Sequence, residues 1–389
     1  MSRPVLRTRL CDMLGIEYPV ISAGMGPVAG GIMGPVATSE LVAAVSNAGG
    51  LGVIGGAGFG ADRLREEINK VRSMTDKPFG VDLLLPSNYM GGAASGEMPR
   101  DPRDLIPRET LAGVRKMAED LGVEWLEAPR PAATATATRP RTGGMSDEQM
   151  EVVIEEKIPV FAAGLGNPGP WVERLHANGT KVLSLVGNVK NAKRVAAAGV
   201  DVVVAQGTEA GGHTGRIATL ALVPQAVDAV EPTPVVAAGG IADGRGLAAA
   251  LALGAIGVWC GTAFLVSREA NQPALQKERI LAATDEDTKI TRLYSGKTMR
   301  NITNPLIEAW EASGLQALPM GLQGMLIQDL VYSVRKAGRE DLLMNAAGQA
   351  SGMLTQIRSA ADILNDMVAQ AADILARKLP AEVTAVPGA

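Results

Sequence analysis

Cysteine and histidine are scarce in this sequence of 389 residues, which contains two of each. The two cysteines, Cys11 and Cys260, belong neither to a C-x-x-C pair nor to a spacing that suits zinc. A disulfide framework and a cysteine-based zinc site are therefore excluded. Unpaired thiols are typical of a reducing compartment, so we expect a cytoplasmic protein.

Long apolar runs and excess charge are also missing. Gly, Asp or Arg interrupts the Ala-rich stretches every few positions, so no run approaches the roughly 18 apolar residues of a membrane span. The first ten residues lack the apolar core of a signal peptide. A net charge of −4 without a cluster of Lys and Arg argues against nucleic-acid binding. Small-molecule chemistry is left as the leading class of function.

Apolar residues are abundant, at 47% of the chain, which is enough for a large core. Short β-branched runs alternate with helical patterns rich in Ala, Leu and Val, which indicates consecutive βαβ units and a parallel sheet. About eight such units predict an α/β protein with a (β/α)8 TIM barrel. The predicted strands cover 19–24, 51–56, 78–86, 159–166, 181–187, 201–207, 234–241 and 257–266.

Helical patterns lie between these strands. They cover 39–48, 62–74, 171–178, 189–198, 220–230 and 243–253. Glycine follows several of them, as expected at helix C-termini, and Ser39, Asp62 and Asp243 are predicted N-caps.

Two segments depart from the alternation. Residues 87–145 are too long for one crossover after strand three, and we interpret them as an insertion or lid with one helix over 109–121. A disordered linker between two domains is the alternative, but strand and helix units resume afterwards in the same style. The barrel is thus predicted over 1–266, and residues 267–389 form a mainly helical C-terminal extension. That extension could cover the active-site mouth, supply a homodimer surface, or do both.

The segment Val-Ala-Gln-Gly-Thr-Glu-Ala-Gly-Gly-His-Thr-Gly, residues 204–215, directly follows the sixth predicted strand. Barrel enzymes carry their catalytic residues at this end of the strands. The paired Gly211 and Gly212 let the backbone pass close to a flat ligand, and an imidazole can move protons near neutral pH. We therefore predict His213 as the catalytic acid or base, in preference to an incidental surface histidine. His176, at a helix end, is interpreted as structural.

Glycines also follow the seventh and eighth strands, where barrels often bind a phosphate through backbone N–H groups. We predict a phosphate cup from Gly239, Gly240, Gly261 and Thr262. A dinucleotide-binding fold fits less well, because the first βα turn lacks Gly-x-Gly-x-x-Gly. The small residues at 21–31 could line a cofactor ring, although Met25 alone could be plain core.

Four motifs together resemble the nitronate monooxygenase (2-nitropropane dioxygenase) family, which also contains flavin-dependent enoyl-thioester reductases. They are Pro-Val-Ile-Ser-Ala-Gly-Met at 19–25, Val-Ser-Asn-Ala-Gly-Gly-Leu-Gly at 45–52, Gln-Gly-Thr-Glu-Ala-Gly-Gly-His at 206–213 and Ala-Gly-Gly-Ile-Ala-Asp-Gly-Arg at 238–245. The resemblance covers about residues 10–264.

The resemblance implies non-covalent FMN and assigns its contacts. Ala23, Gly24 and Met25 would lie beside the isoalloxazine, Gln206 and Gly211 near the ring and ribityl chain, and Ala238, Gly239, Gly240, Gly261 and Thr262 around the phosphate. His213 matches the catalytic histidine of the family. Many relatives carry Asn where this chain has Asp82, and some carry Lys where it has Leu185. The residues at these two positions affect which groups contact the polar edge of the flavin and which groups compensate its negative charge.

The resemblance favours one function and leaves rivals. In nitronate monooxygenation, an alkyl nitronate and O2 give a carbonyl compound and nitrite, and His213 handles the α-proton. Residues 80–89 resemble a branch that acts on CoA thioesters of steroid-ring fragments, so an FMN-dependent reductase or dehydrogenase of a CoA or acyl-carrier thioester is the main alternative. An NAD(P)H:quinone reductase is a third, with NAD(P)H as reductant. A regulatory barrel without catalysis is disfavoured by the placement of His213.

A thioester enzyme needs contacts for the CoA phosphates. Arginines of the insertion could provide them, or could form a solvated lid face. They are Arg100, Arg103, Arg108, Arg139 and Arg141.

Overall fold

Eight parallel strands form the centre of the computed structural model, which describes residues 5–27, 34–85, 101–129 and 144–384. These strands are β1 (Val20–Ser22), β2 (Gly52–Gly55), β3 (Phe79–Leu85), β4 (Val160–Gly166), β5 (Lys181–Val186), β6 (Val202–Gln206), β8 (Val235–Ala238) and β9 (Val258–Cys260). Each lies inside a predicted strand. Their order is β1-β9-β8-β6-β5-β4-β3-β2, and a parallel bridge between Ile21 and Leu51 joins the two ends. The predicted (β/α)8 barrel is confirmed.

The alternation of side chains along the strands explains why these runs are apolar throughout. In β6, Val202 and Val204 belong to a cluster inside the barrel, whereas Val203 and Ala205 belong to the cluster between strands and helices. Successive side chains of a strand point to opposite faces, so a strand covered on both faces needs apolar residues at every position. Helix α1 (Arg9–Leu14) contributes Leu10 to the inner cluster.

Helices flank the strands close to the predicted positions. They are α2 (Ser39–Asn47), α3 (Ala61–Met74), α6 (Gly169–Ala177), α7 (Val189–Ala197), α8 (Thr219–Val230) and α9 (Gly244–Ala252). The predicted cap is confirmed at Asp243, whose carboxylate accepts from the backbone N–H groups of Arg245 and Gly246. The other two predicted caps are wrong, because α2 is preceded by Thr38 and α3 by Gly60. Helix ends shift easily by one or two residues when several neighbours are polar or small.

Part of the predicted insertion lies outside the described residues. Within them, a 3-10 turn (Pro102–Leu105) and α4 (Arg108–Asp120) precede α5 (Gly144–Glu155). Helix α4 agrees with the helix predicted over 109–121. It packs against helices from the C-terminal part of the chain. The domain boundaries assigned to the insertion and to residue 266 stay predictions.

The chain after β9 is helical with one departure. It contains α10 (Thr262–Leu265), α11 (Ala274–Ala282), α12 (Pro305–Ser313), α13 (Met320–Lys336), α14 (Ala360–Asp373) and α15 (Leu379–Glu382). A hairpin that the sequence did not predict, β10 (Thr288–Thr291) and β11 (Met299–Ile302), interrupts them. Strand β11 also pairs antiparallel with β7 (Gly212–His213). His213 therefore lies in a short paired strand and not in the loose turn expected from its glycines.

None of the helices in the described part of the chain combines the length and the apolar character that crossing a membrane requires.

Candidate active site

A pocket opens at the carboxyl ends of the barrel strands. All twelve residues predicted for the site line it, namely Ala23, Gly24, Met25, Asp82, Gln206, Gly211, His213, Ala238, Gly239, Gly240, Gly261 and Thr262. Most of them come from the ends of β1, β6, β8 and β9 or the loops that follow, whereas Asp82 lies in the middle of β3. Parallel strands of a barrel end on the same rim, so residues far apart in the chain meet there. Asp82 and His213 are the ionisable side chains among the lining residues that the structure describes.

Asp82 is a buried carboxyl group in the wall of this pocket, with 7% of its surface exposed. A Cβ atom added at Gly24 would lie 2.3 Å from the Asp82 Cβ, and one added at Gly164 would lie 2.7 Å from its Oδ1. The two glycines therefore leave room for this side chain. Burial raises the pKa of Asp82 well above its usual value, and the backbone N–H of Gly164 opposes the shift. Among the described residues, no hydrogen-bond partner reaches Oδ1.

Both the imidazole and the backbone of His213 make hydrogen-bond contacts. Its Nε2 lies 2.9 Å from the Ser295 Oγ, and its backbone carbonyl accepts a hydrogen bond of 2.5 Å from the Gln206 side chain. Burial, with a smaller contribution from the positive charge of Lys297, lowers the pKa of His213 from 6.5 to about 4. The ring is therefore neutral at physiological pH, which is the state a proton acceptor needs.

The loop between β6 and β7 is ordered by the residues of its own motif. The carboxylate of Glu209 accepts hydrogen bonds of 3.0 Å from the backbone N–H of Thr219, and one of 2.9 Å from its hydroxyl. Glu209 thus caps the start of α8. A Cβ atom at Gly211 would lie 2.6 Å from the backbone of Ala347, so glycine is needed where the C-terminal chain crosses this loop.

The loops after β8 and β9 form a concave backbone surface. Gly239 and Gly240 have φ angles of +100° and +72°, a conformation that favours glycine. Turn hydrogen bonds in the described residues do not use the backbone N–H groups of Gly239, Gly240 or Gly261. The Thr262 hydroxyl accepts a hydrogen bond of 2.9 Å from the Gly348 N–H. The surface therefore presents free backbone donors to the pocket.

The C-terminal part of the chain supplies pocket residues that sequence reasoning missed. They are Gln272, Met299, Met344, Ala346 and Ala350, and Ser295 adds the contact to His213 just outside the lining. No motif or spacing in the sequence predicts them. They reach the pocket only because the C-terminal extension, residues 267–389, packs over the barrel.

Comparison with known protein families identifies the family of the chain that forms this pocket. The model of the nitronate monooxygenase family matches residues 7–370. The chain belongs to the nitronate monooxygenase family. It is thus an oxidoreductase, and membership implies an FMN-type flavin.

Several relatives of this nitronate monooxygenase family member resemble it over nearly their whole length. A Mycobacterium tuberculosis protein named a monooxygenase is 39% identical, over 95% of this chain and 97% of its own. A Staphylococcus saprophyticus protein named a probable nitronate monooxygenase is 35% identical, over 96% and 99%. Among solved structures, FabK from Thermotoga maritima superimposes with a TM-score of 0.73 at 32% identity, over 97% of this chain and 100% of that chain. Nitroalkane oxidase from Streptomyces ansochromogenes gives 0.74 at 29%, over 94% and 98%.

Other predicted residues lie away from the pocket lining. His176 is close to the end of α6, where its Nε2 lies 2.8 Å from the Asp201 carboxylate. Arg103 lies 3.9 Å from the Asp329 carboxylate and donates to Gln328, both in α13, and Arg108 is exposed at the start of α4. Arg100, Arg139 and Arg141 lie outside the described residues.

Proposed function

We propose that this family member is an FMN-dependent nitronate monooxygenase: His213 removes the α-proton of a bound nitroalkane, and the resulting alkyl nitronate reacts with O2 to give a carbonyl compound and nitrite. The observation that carries the proposal is a neutral, half-buried imidazole in the same pocket as the family motifs. Burial lowers the pKa of His213, so the imidazole is unprotonated near neutral pH, and this is the form that can accept the α-proton of a nitroalkane.

The pocket has features that fit FMN. We infer that the free N–H groups of Gly239, Gly240 and Gly261, with Ala238 and Thr262, hold the phosphate, since no Lys or Arg is among the described lining residues. Ala23, Gly24, Met25, Gln206 and Gly211 would line the flavin ring and ribityl chain. The unpaired Oδ1 of Asp82 offers a polar contact to the ring. Bound FMN supplies the redox centre that takes the electron from the nitronate.

A second candidate is the reduction of a CoA or acyl-carrier thioester, with NAD(P)H as the source of the hydride. Apolar residues of the C-terminal extension support it, because Met299 and Met344 line the pocket that contains His213 and give a surface that suits an acyl chain. A quinone reductase would use the same surface for a flat apolar substrate. Self-association of the chain stays a prediction.

The test of the histidine uses the two histidines of the chain as a matched pair. His213→Ala should retain FMN and lower turnover of the nitroalkane by roughly 10²- to 10⁴-fold, because general-base catalysis is lost. His176→Ala removes a histidine outside the pocket lining and should keep both FMN and turnover. Wild-type turnover by the His213 variant would refute the assignment.

The substrate class is tested separately by anaerobic reduction of the flavin. A nitronate should bleach the flavin absorbance of the wild-type protein, whereas NADH, NADPH and an acyl-CoA should leave it oxidised. Bleaching by NADH or NADPH, without bleaching by the nitronate, would favour the reductase candidates instead.

A further inference from the structure

The hairpin of the C-terminal chain holds the backbone on which His213 sits. In the register of β7 and β11, Met299 pairs with His213 and Arg300 with Gly212. The buried Arg300 side chain adds hydrogen bonds of 3.0 Å to the Thr208 carbonyl and to the Thr288 hydroxyl. The loop between β10 and β11 is thereby brought to the imidazole, and it carries Ser295.

The Ser295 hydroxyl is fixed on both of its sides. Its Oγ accepts a hydrogen bond of 3.3 Å from the Lys297 N–H and lies 3.5 Å from the Lys297 carbonyl. On the other side it lies 2.9 Å from the His213 Nε2. Ser295 is not among the described residues that line the pocket, although His213 is. The Nε2 atom is therefore directed to a residue that is not among the described lining residues.

The other ring nitrogen has different surroundings. Among the described residues, no hydrogen-bond partner of His213 Nδ1 is found. A neutral imidazole carries one N–H and one lone pair, and the hydrogen bond at one nitrogen decides which nitrogen carries the proton. The proton position on Nε2 or Nδ1 is thus set by the role that Ser295 takes.

We propose that Ser295 is a positioning residue that accepts the Nε2–H of His213 and so leaves the Nδ1 lone pair to receive the substrate proton. The Ser295 hydroxyl proton then points to the Lys297 carbonyl, so the donors Nε2–H, Oγ–H and Lys297 N–H each have an acceptor. The reverse arrangement, in which the hydroxyl donates to Nε2, would place the proton on Nδ1 and block the base. This inference rests on the proposed function of His213 as the base.

Nitrogen-15 spectroscopy of the FMN-loaded protein tests the tautomer directly. Histidine labelling introduces two labelled rings, and His176→Gln leaves the His213 ring alone. We expect a pyrrole-type signal for Nε2 and a pyridine-type signal for Nδ1 in this background. Adding Ser295→Ala should give a mixture of the two tautomers or exchange the signal types of Nε2 and Nδ1. Ser295→Thr, which keeps a hydroxyl, should restore the wild-type pattern.

Kinetics give the second readout. Ser295→Ala should lower kcat by roughly tenfold, a part of what general-base catalysis contributes, with FMN content and KM unchanged. Ser295→Thr should recover most of this loss. The control is Ser313→Ala, because the Ser313 hydroxyl donates a hydrogen bond to the Trp310 carbonyl at the end of α12 and does not contact the imidazole.

An Nδ1–H tautomer in the protein with Ser295 intact would overturn the proposal, and that measurement needs no variant at position 295. An unchanged tautomer in Ser295→Ala would overturn it as well. Failure of the proposed function is a separate result, because it would appear as wild-type turnover by His213→Ala whatever the spectrum shows.

Discussion

The side chain of Asp82 lies in an environment that disfavours its ionised form. It is buried, and among the described residues no cation acts on its pKa. Because its pKa in the folded protein is raised, folded Asp82 still holds its proton at pH values where unfolded Asp82 has lost it. The contribution of this group to stability is therefore greatest at low pH and is lost as pH rises above the unfolded value of about 4.

Asp82→Asn should consequently stabilise the FMN-free protein at pH 7 by about 1 to 3 kcal/mol, because an amide has no charge to bury. The gain should shrink towards pH 4, where the carboxyl group is neutral in both states. Urea unfolding at several pH values measures this difference.

Asp76→Asn is the control for that experiment, since Asp76 is exposed and its substitution should leave the pH dependence unchanged. The prediction would be contradicted if Asp82→Asn were less stable than the wild type at pH 7.

At the scale of an element, helix α8 starts without a cap of its own. The residue before it is Ala218, which has no side-chain acceptor, and Glu209 of the preceding loop takes that place. A carboxylate at a helix N-terminus satisfies free N–H groups and interacts favourably with the helix dipole. The Glu of the Gln-Gly-Thr-Glu-Ala-Gly-Gly-His motif thus links the His213 loop to a barrel helix.

Glu209→Gln should lower the free energy of unfolding by about 0.3 to 1 kcal/mol, because it removes the negative charge at the helix N-terminus while an amide oxygen can still accept the hydrogen bond. Glu173→Gln, on the exposed face of α6, is expected to change it little. Thermal or urea unfolding compares the two, and equal losses would show that the cap contributes nothing.

At the scale of the whole molecule, the C-terminal chain is part of the barrel core. Helix α14 packs against α9 and α2, and one hydrophobic cluster contains barrel residues such as Phe161 together with Trp310 and Leu364 of the tail. The backbone of α14 comes so close that a Cβ atom at Gly244 would lie 2.4 Å from the Ala371 N and 2.5 Å from the Met367 carbonyl oxygen.

Gly244→Ala should therefore destabilise the protein by about 1 to 3 kcal/mol, because two packed backbones must separate. Gly324→Ala is the opposite case. Gly324 is exposed inside α13 with open space around its Cα, so alanine there should stabilise by up to about 1 kcal/mol. Chemical denaturation of both variants checks the contrast, and a neutral Gly244→Ala would show that α14 can move away.

The barrel and the outline of its pocket could be predicted because they depend on local patterns. Eight apolar runs and the glycines after them are each visible in a short window, and parallel strands bring their ends to one rim. The sequence predicted twelve site residues, and all twelve line one pocket. Their contacts to FMN remain predictions.

Tertiary structure alone decided what surrounds His213. Ser295 is 82 residues further along the chain, and the two-residue strand β7 is too short to have a periodicity of its own. It exists because β11 pairs with it, and β11 is there because the tail packs on the barrel. The sequence by itself predicted the position of the proposed base, whereas only the fold brought Ser295 to one nitrogen of that histidine.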